Sequence, residues 1–307
     1  MRIAILGVGI LVVAVLVWLF VPFPVTPPRV DVAGDAERGA YVLRMGGCAS
    51  CHTDAANQGA FLAGGRSLQT PFGTFYTSNL TPDPDTGIGG WSTGDFVQAM
   101  TKGVSPEGHD YYPAFPYTSY ANMTLQDLAD LKAYLDTVEP VTNAVPPHAL
   151  DFPYSLRPLL KPWKAMFFRA NGIEPDPGRS ESWNRGAYLV QGPTHCGECH
   201  TPRNLLGAAD RSRHLAGNPE GPDGRSVPNI TPHPDDGIGG WSATDLSYAL
   251  ETGILPDFDV LGGAMSEVVR DSTGHLSAED RTAIAEYLLS LEPLPDAAPP
   301  DQDAEGT

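Results

Sequence analysis

One block of sequence occurs twice in this chain, and everything after the N-terminus is organised around it. Asn79-Leu-Thr-Pro-Asp-Pro-Asp-Thr-Gly-Ile-Gly-Gly-Trp91-Ser92 returns as Asn229-Ile-Thr-Pro-His-Pro-Asp-Asp-Gly-Ile-Gly-Gly-Trp241-Ser242. Upstream, Arg38-Gly-Ala-Tyr41 matches Arg185-Gly-Ala-Tyr188. Between these segments each copy carries Cys-x-x-Cys-His, as Cys48-Ala-Ser-Cys51-His52 and Cys196-Gly-Glu-Cys199-His200. The spacing stays near 150 residues throughout, so the chain holds a duplicated unit rather than a chance echo. Two units of ordinary domain size account for most of its 307 residues.

Each copy closes on a capped helix. Thr124-Leu-Gln-Asp127 supplies an N-cap hydroxyl and a first-turn carboxylate, with Leu125, Leu128, Leu131 and Leu135 on or near one helix face. Ser277-Ala-Glu-Asp280 does the same ahead of Ile284, Tyr287, Leu288 and Leu291. A shorter capped helix follows each tryptophan, from Ser92 with Asp95 and from Ser242 with Asp245. The 33 glycines and 30 prolines favour long ordered loops, and no strand-like alternation is sustained. The expected fold is therefore mainly α. Its expected parts are a membrane helix over 1–21, a Pro-rich tether over 22–34, a first unit over 35–140 and a connector over 141–180. A second unit over 181–293 and a disordered acidic tail over 294–307 complete it. The connector's aromatic stretch, Trp163 to Phe168, is expected to pack between the units.

Ile3 to Val21 carries no charge and no strongly polar side chain. As a helix it would span roughly 28 Å, close to the hydrocarbon thickness of a bilayer. A cleaved signal has a shorter apolar core and a small-residue cleavage site, and this segment runs instead into Pro22 and Pro24. The expectation is an uncleaved single-pass anchor in the cytoplasmic membrane that contacts lipid through residues 3–21. With Arg2 ahead of the helix, the acidic bulk that carries the repeats would face the periplasm. A net charge of −18 excludes nucleic acid as a partner, since phosphate binding needs clustered Lys and Arg.

All four cysteines belong to the two short motifs. Cys-x-x-Cys-His is the attachment pattern of a c-type haem: two thiols reach the two vinyl groups and the next imidazole falls beneath the iron. A zinc site would need a further Cys or His pair at ligand spacing, and a thioredoxin-like pair would need a βαβ setting. The chain is thus expected to carry two covalent haem c groups, on Cys48, Cys51 and His52, and on Cys196, Cys199 and His200. The sixth iron ligand should come from ahead of each closing helix, which nominates Met123 and Met265. Met100 aligns with Leu250 inside the post-tryptophan helix and reads as core. His109, His148, His214, His233 and His275 read as loop histidines, and His195 stands too close to Cys196 to cross the same iron. Trp91, Trp241, Asn79 and Asn229 are expected at the haem edges as propionate donors, with Arg66 and Arg203 as further candidates. The two imidazoles should each donate a ring N–H to a carbonyl, with Pro202 as the acceptor in unit two.

Through both attachment motifs, both Asn-(Leu/Ile)-Thr-Pro segments with their Gly-Ile-Gly-Gly-Trp ends, Trp183-Asn-Arg-Gly-Ala-Tyr188 and Cys199-His-Thr-Pro-Arg-Asn204, the chain resembles a known family. It is similar over about residues 35–293 to the cytochrome c subunits of bacterial membrane-bound alcohol, aldehyde and gluconate dehydrogenases. The resemblance implies two tandem class I cytochrome c-like domains with His52/Met123 and His200/Met265 ligation. It also implies electron transfer from a dehydrogenase or respiratory complex to a downstream acceptor such as a respiratory oxidase or small cytochrome. Those subunits usually carry three haem units, whereas this chain has two. The rival expectation is a dihaem redox enzyme of peroxidase or thiosulfate-oxidising type, which would need an exchangeable sixth ligand.

Overall fold

The computed structural model describes residues 13–14, 17–21, 26–170, 172–221 and 224–296. Helix α1 (Ala36–Met45) starts on Asp35, whose carboxylate accepts from the N–H groups of Glu37 and Arg38. A single turn, α2 (Cys48–His52), follows it directly. Helix α3 (Thr93–Lys102) opens on a full Ser92/Asp95 capping box and stops at Gly103, whose φ of 59° suits a residue without Cβ. The short α4 (Tyr117–Tyr120) leads to α5 (Leu125–Leu135), capped by Thr124.

The second unit repeats the plan. Its elements are α7 (Glu181–Gln191), α8 (Gly197–His200), α9 (Ala243–Thr252) on a Ser242/Asp245 capping box, α10 (Gly263–Asp271) and α11 (Ala278–Leu289). Between the units lies α6 (Leu160–Phe167).

In each unit the first helix crosses the last, and a glycine makes the crossing possible. A Cβ on Gly39 would lie 1.9 Å from the carbonyl oxygen of Asp130, and one on Gly186 would lie 2.0 Å from that of Ala283. Both glycines belong to the duplicated Arg-Gly-Ala-Tyr. Around the crossings Val42, Leu43, Leu128, Leu131 and Leu135 are buried, as are Leu189, Val190, Ile284 and Leu288. Each such side chain contributes about 1.5–3 kcal/mol of hydrophobic stabilisation. Met100 is buried in α3 where Leu250 is buried in α9.

Strand structure is confined to a small antiparallel sheet of β1 (Ser67–Thr70), β2 (Gly73–Tyr76) and β3 (Ala149–Leu150), so the connector adds an edge strand to unit one. The rest of the connector touches both units. Lys164 donates to the carbonyls of Lys102 and Gly103 and pairs with Asp110 at 2.6 Å, Phe168 packs on Tyr117, and the Trp163 indole donates to the Leu206 carbonyl.

Two expectations about the ends are corrected. The membrane-spanning helix over 3–21 is not supported: among the described residues no helix is long and apolar enough to cross a membrane. Within that segment 13–14 and 17–20 are helical, and Lys161 of the connector caps the carbonyls of Trp18 and Val21 at 2.7 and 2.8 Å. Residues 1–12, 15–16 and 22–25 lie outside the described residues. The tail expected to be disordered from 294 is held at its start. Leu294 exchanges hydrogen bonds with Asn229 and Thr231, and Arg213 binds the carbonyls of Pro295 and Asp296. Residues 297–307 lie outside the described set.

Candidate functional site

The first Cys-x-x-Cys-His forms the single turn α2 (Cys48–His52), and in the second Cys196 is the N-cap of α8 (Gly197–His200), so in each motif the two cysteines and the histidine lie within about one helical turn. The imidazoles are then fixed from behind by a carbonyl. His52 Nδ1 lies 2.7 Å from the Ser78 carbonyl oxygen, and His200 Nδ1 lies 2.7 Å from that of Pro228. A carbonyl only accepts, so Nδ1 carries the proton in both rings and Nε2 is left with its lone pair, the form a metal needs. Burial pulls both imidazole pKa values below the ordinary 6.5, against the raising effect of the carbonyl contact, which keeps the rings neutral. The acceptor in unit two is thus Pro228, not Pro202.

Ser78 and Pro228 immediately precede the duplicated asparagines, and this explains what the asparagines do. Asn79 Oδ1 accepts from the N–H and hydroxyl of Thr81, while its amide donates to Thr86 and to the Val141 carbonyl at 2.7 Å. Asn229 accepts from Thr231 in the same way and donates to the Leu294 carbonyl at 2.7 Å. Both are almost fully buried. With both amide protons engaged, Asn79 is not a propionate donor. Each asparagine instead pins the segment that returns after its unit's closing helix to the loop bearing the histidine's acceptor.

The loop closes beneath the histidine in the same way in both units. Gly64 N–H donates to the His52 carbonyl and Gly217 N–H to that of His200, at 2.8 and 2.9 Å. Gly64 has φ of 72°, and a Cβ there would lie 2.4 Å from the carbonyl carbon of Ser78, so only glycine permits this approach. Thr53 and Thr201 hydroxyls accept from the N–H groups of Leu62 and Leu215, two buried residues held at φ of 59° and 64°. Such positions cost of order 1–3 kcal/mol and cluster at functional sites.

The four thiols are free of disulfide bonds. Burial pushes Cys48 up to about 12 and Cys199 up to about 11, and it also raises Cys51 and Cys196. Two free cysteines followed by an imidazole whose Nδ1 proton is held by a backbone carbonyl are the groups that covalent haem c requires, two for thioether links and one for the iron, so the residues fit that group.

The tryptophans of the repeat behave differently from the other indoles. Trp91 and Trp241 lie half-buried against the core with no hydrogen-bond partner for Nε1 among the described residues. Trp163 and Trp183 by contrast donate to Leu206 and Ser290. Arg66 and Arg203 are engaged with protein: Arg66 with the Ser50 carbonyl and Glu267, Arg203 with Glu198 and the Gly207 carbonyl.

Met123 and Met265 occupy unlike places. Met123 is buried and stands just before the N-cap Thr124, where unit two has the equally buried Leu276 before Ser277. Met265 is half-buried in α10. The bridges Val104–Asp110 and Ile254–Val260 keep the repeat in register up to this loop, and in that register Met265 stands opposite Phe115. Helix α10 also packs against α2, and its Glu267 pairs with Arg66 at 2.8 Å.

The cytochrome c family model matches residues 36–139. A dihaem c-type cytochrome of Cereibacter sphaeroides is 49% identical over 280 residues, covering 88% of this chain and 91% of that protein. A nicotinate dehydrogenase subunit of Pseudomonas putida is 44% identical over 277 residues, which are 89% of this chain and 23% of the relative. The fructose dehydrogenase cytochrome subunit of Gluconobacter japonicus is 39% identical over 272 residues, 88% of this chain and 54% of that relative. The chain thus spans nearly all of the first relative and about half or less of the other two. With 49% identity over 91% of a dihaem c-type cytochrome, the chain belongs to the c-type cytochromes.

Proposed function

We propose that the chain carries two covalent haem c groups, one on each attachment motif, and relays electrons between a dehydrogenase and a downstream acceptor. The observation that carries this reading is the doubling of the histidine arrangement, with Nδ1–H on Ser78 and Nδ1–H on Pro228 in matching loops. Bound haem supplies a one-electron iron couple whose potential depends on axial ligand and burial. The chain's own residues hold each imidazole in one tautomer, with Nδ1–H on a backbone carbonyl and Nε2 free for the iron. Met265 and Met123 are the sixth ligands in this reading, and Trp91 and Trp241 donate to the haem carboxylates.

The partner follows from the relatives, several of which are cytochrome subunits of alcohol, fructose and gluconate dehydrogenases, and one a subunit of nicotinate dehydrogenase. A net charge of −18 suits a basic docking patch on that partner. The test is a reductive titration of the purified protein together with exposure of the reduced form to carbon monoxide. Two electrons taken up per chain without rapid carbon monoxide binding support a relay. One electron per chain, or stoichiometric carbon monoxide binding at one haem, contradicts it and favours a redox enzyme with an open iron site.

A further inference from the structure

The two units grip each other through the last residue of the same duplicated motif. Tyr41, of Arg-Gly-Ala-Tyr in unit one, reaches the start of the closing helix of unit two. Its hydroxyl donates to Asp280 Oδ2 at 2.8 Å and accepts from the Ser277 N–H at 2.9 Å. Tyr188, of the second copy, reaches the start of the closing helix of unit one. Its hydroxyl donates to Asp127 and accepts from the Thr124 N–H at 3.3 Å. Ser277 and Thr124 are the N-caps of α11 and α5, and Asp280 and Asp127 are the residues three positions on. Each tyrosine therefore occupies the N-cap of the other unit, and the two contacts are related by an approximate two-fold exchange.

The motif divides its work by residue. Its arginine mainly serves its own unit: Arg38 binds Asp130, and Arg185 binds Asp280 through two hydrogen bonds of 2.8 and 2.7 Å while also reaching Met45 Sδ of unit one at 3.4 Å. Its glycine lets the first and last helices of its own unit cross. Its tyrosine crosses to the other unit, and on the Asp280 side it meets the carboxylate that Arg185 already orients. A tyrosine required only for a unit's own core would have no reason to end on the other unit's helix cap, twice.

The clamp lies beside the two attachment motifs. Ser272 of unit two donates to the Met45 carbonyl at the end of α1, and Asn122 of unit one donates to the Gln191 carbonyl at the end of α7. Glu198, inside the second motif, accepts from Thr118 and Ser119 of unit one, while Ser50, inside the first, shares Arg66 with Glu267 of unit two. The His195 ring packs edge-on against Tyr120 at 5.6 Å between them. Whatever holds the units in register also sets the distance and angle between the groups bound at α2 and α8.

We propose that Tyr41 and Tyr188 are positioning residues for electron exchange between the two haems, acting as a reciprocal clamp that fixes one unit's attachment motif relative to the other's. The inference rests on the reading of two haems per chain. Removing one hydroxyl leaves the second clamp to hold the register, so single changes are mild. Removing both affects the exchange more than the single effects combined, because both act on one interface.

The experiment uses the intact holoprotein with Tyr41→Phe, Tyr188→Phe and the double variant, and Tyr248→Phe, on the exposed side of α9, as a control. Phenylalanine keeps the ring packing and removes only the hydroxyl, so the variants fold. Haem content by pyridine haemochromogen comes first, since one haem per wild-type chain overturns the two-haem reading itself rather than the clamp. With two haems present, the rate of electron exchange after flash reduction of one haem, and the magnetic coupling between the oxidised haems, are compared. The clamp predicts a severalfold slower exchange and weakened coupling in the double variant, with each haem's own spectrum unchanged and the control at wild-type values. Wild-type exchange and coupling in the double variant overturn the proposal, even if its melting temperature falls.

Discussion

Gly186→Ala adds one methyl group where the first and last helices of unit two cross. Its carbon would lie 2.0 Å from the carbonyl oxygen of Ala283, 2.6 Å from the carbonyl carbon and 2.8 Å from Tyr287 Cβ. Two of these three atoms are backbone, so no rotamer change relieves the clash and the helices must part. Helix propensity pulls the other way, since alanine in a helix interior is favoured over glycine by about 0.8–1.0 kcal/mol. Overpacking of a tight contact costs about 1–3 kcal/mol, and a contact this close belongs at the upper end. The net effect is a loss of about 1–2 kcal/mol, which for a unit close to 100 residues lowers the melting temperature by roughly 4–16 °C. Gly39→Ala should match it, because its Cβ would lie 1.9 Å from the Asp130 carbonyl oxygen. The assay is thermal unfolding of the holoprotein followed by far-ultraviolet circular dichroism. An unchanged or higher melting temperature in both variants would mean that propensity outweighs the crossing, and the reasoning would be refuted.

Met123→Leu gives unit one the residue type that Leu276 provides in unit two, a swap that costs less than about 1.5 kcal/mol in a core. As an iron ligand Met123 gives a methionine–iron charge-transfer band that the variant loses, with one midpoint potential lowered; an unchanged spectrum removes it from the ligand set. Met265→Leu should abolish such a band for the other haem in an absorption spectrum of the oxidised protein. Burial pushes the Asp280 carboxyl up, but the Arg185 hydrogen bonds and charge, with the Tyr41 hydroxyl, hold it below the ordinary 3.8. A carboxyl depressed on folding stabilises above its unfolded value and loses that contribution as pH falls through the folded one. Asp280→Asn should therefore lower the denaturant midpoint at neutral pH and match wild type once pH is well below 3.8. Reduction by a basic partner should slow as salt rises, because the Debye length shrinks to about 10 Å at 0.1 M, and stopped-flow rates that ignore ionic strength would contradict the docking surface.

Local chemistry was readable from the residues, and long-range partners were not. The capping boxes at Ser92/Asp95 and Ser242/Asp245 form within one turn, so spacing alone announces them. Cys-x-x-Cys-His is equally local, which is why both motifs stand out in one dimension. The carbonyls that fix the imidazoles come from Ser78 and Pro228, each well downstream, and any residue can supply a carbonyl. The one available signal was position, since both stand just before a duplicated asparagine. An amide suits a carboxylate, which makes Asn79 and Asn229 read as ligand donors in one dimension, but both are buried, Asn79 spends both amide protons on protein, and Asn229 holds the Leu294 carbonyl. The strands at 67–70, 73–76 and 149–150 are too short for alternation to register, and the third comes from the connector. The apolar stretch before residue 22 met the length criterion for a membrane span, but the described structure contains no helix that meets it.

The central claim is that each attachment motif holds its own covalent haem, and the intact mass of the denatured protein tests it most directly. The wild-type chain should carry the mass of two haems. A variant with Cys48 and Cys51 replaced by alanine should carry one, and so should a variant with Cys196 and Cys199 replaced. A wild-type chain bearing a single haem, or a double-alanine variant that retains two, would contradict the account.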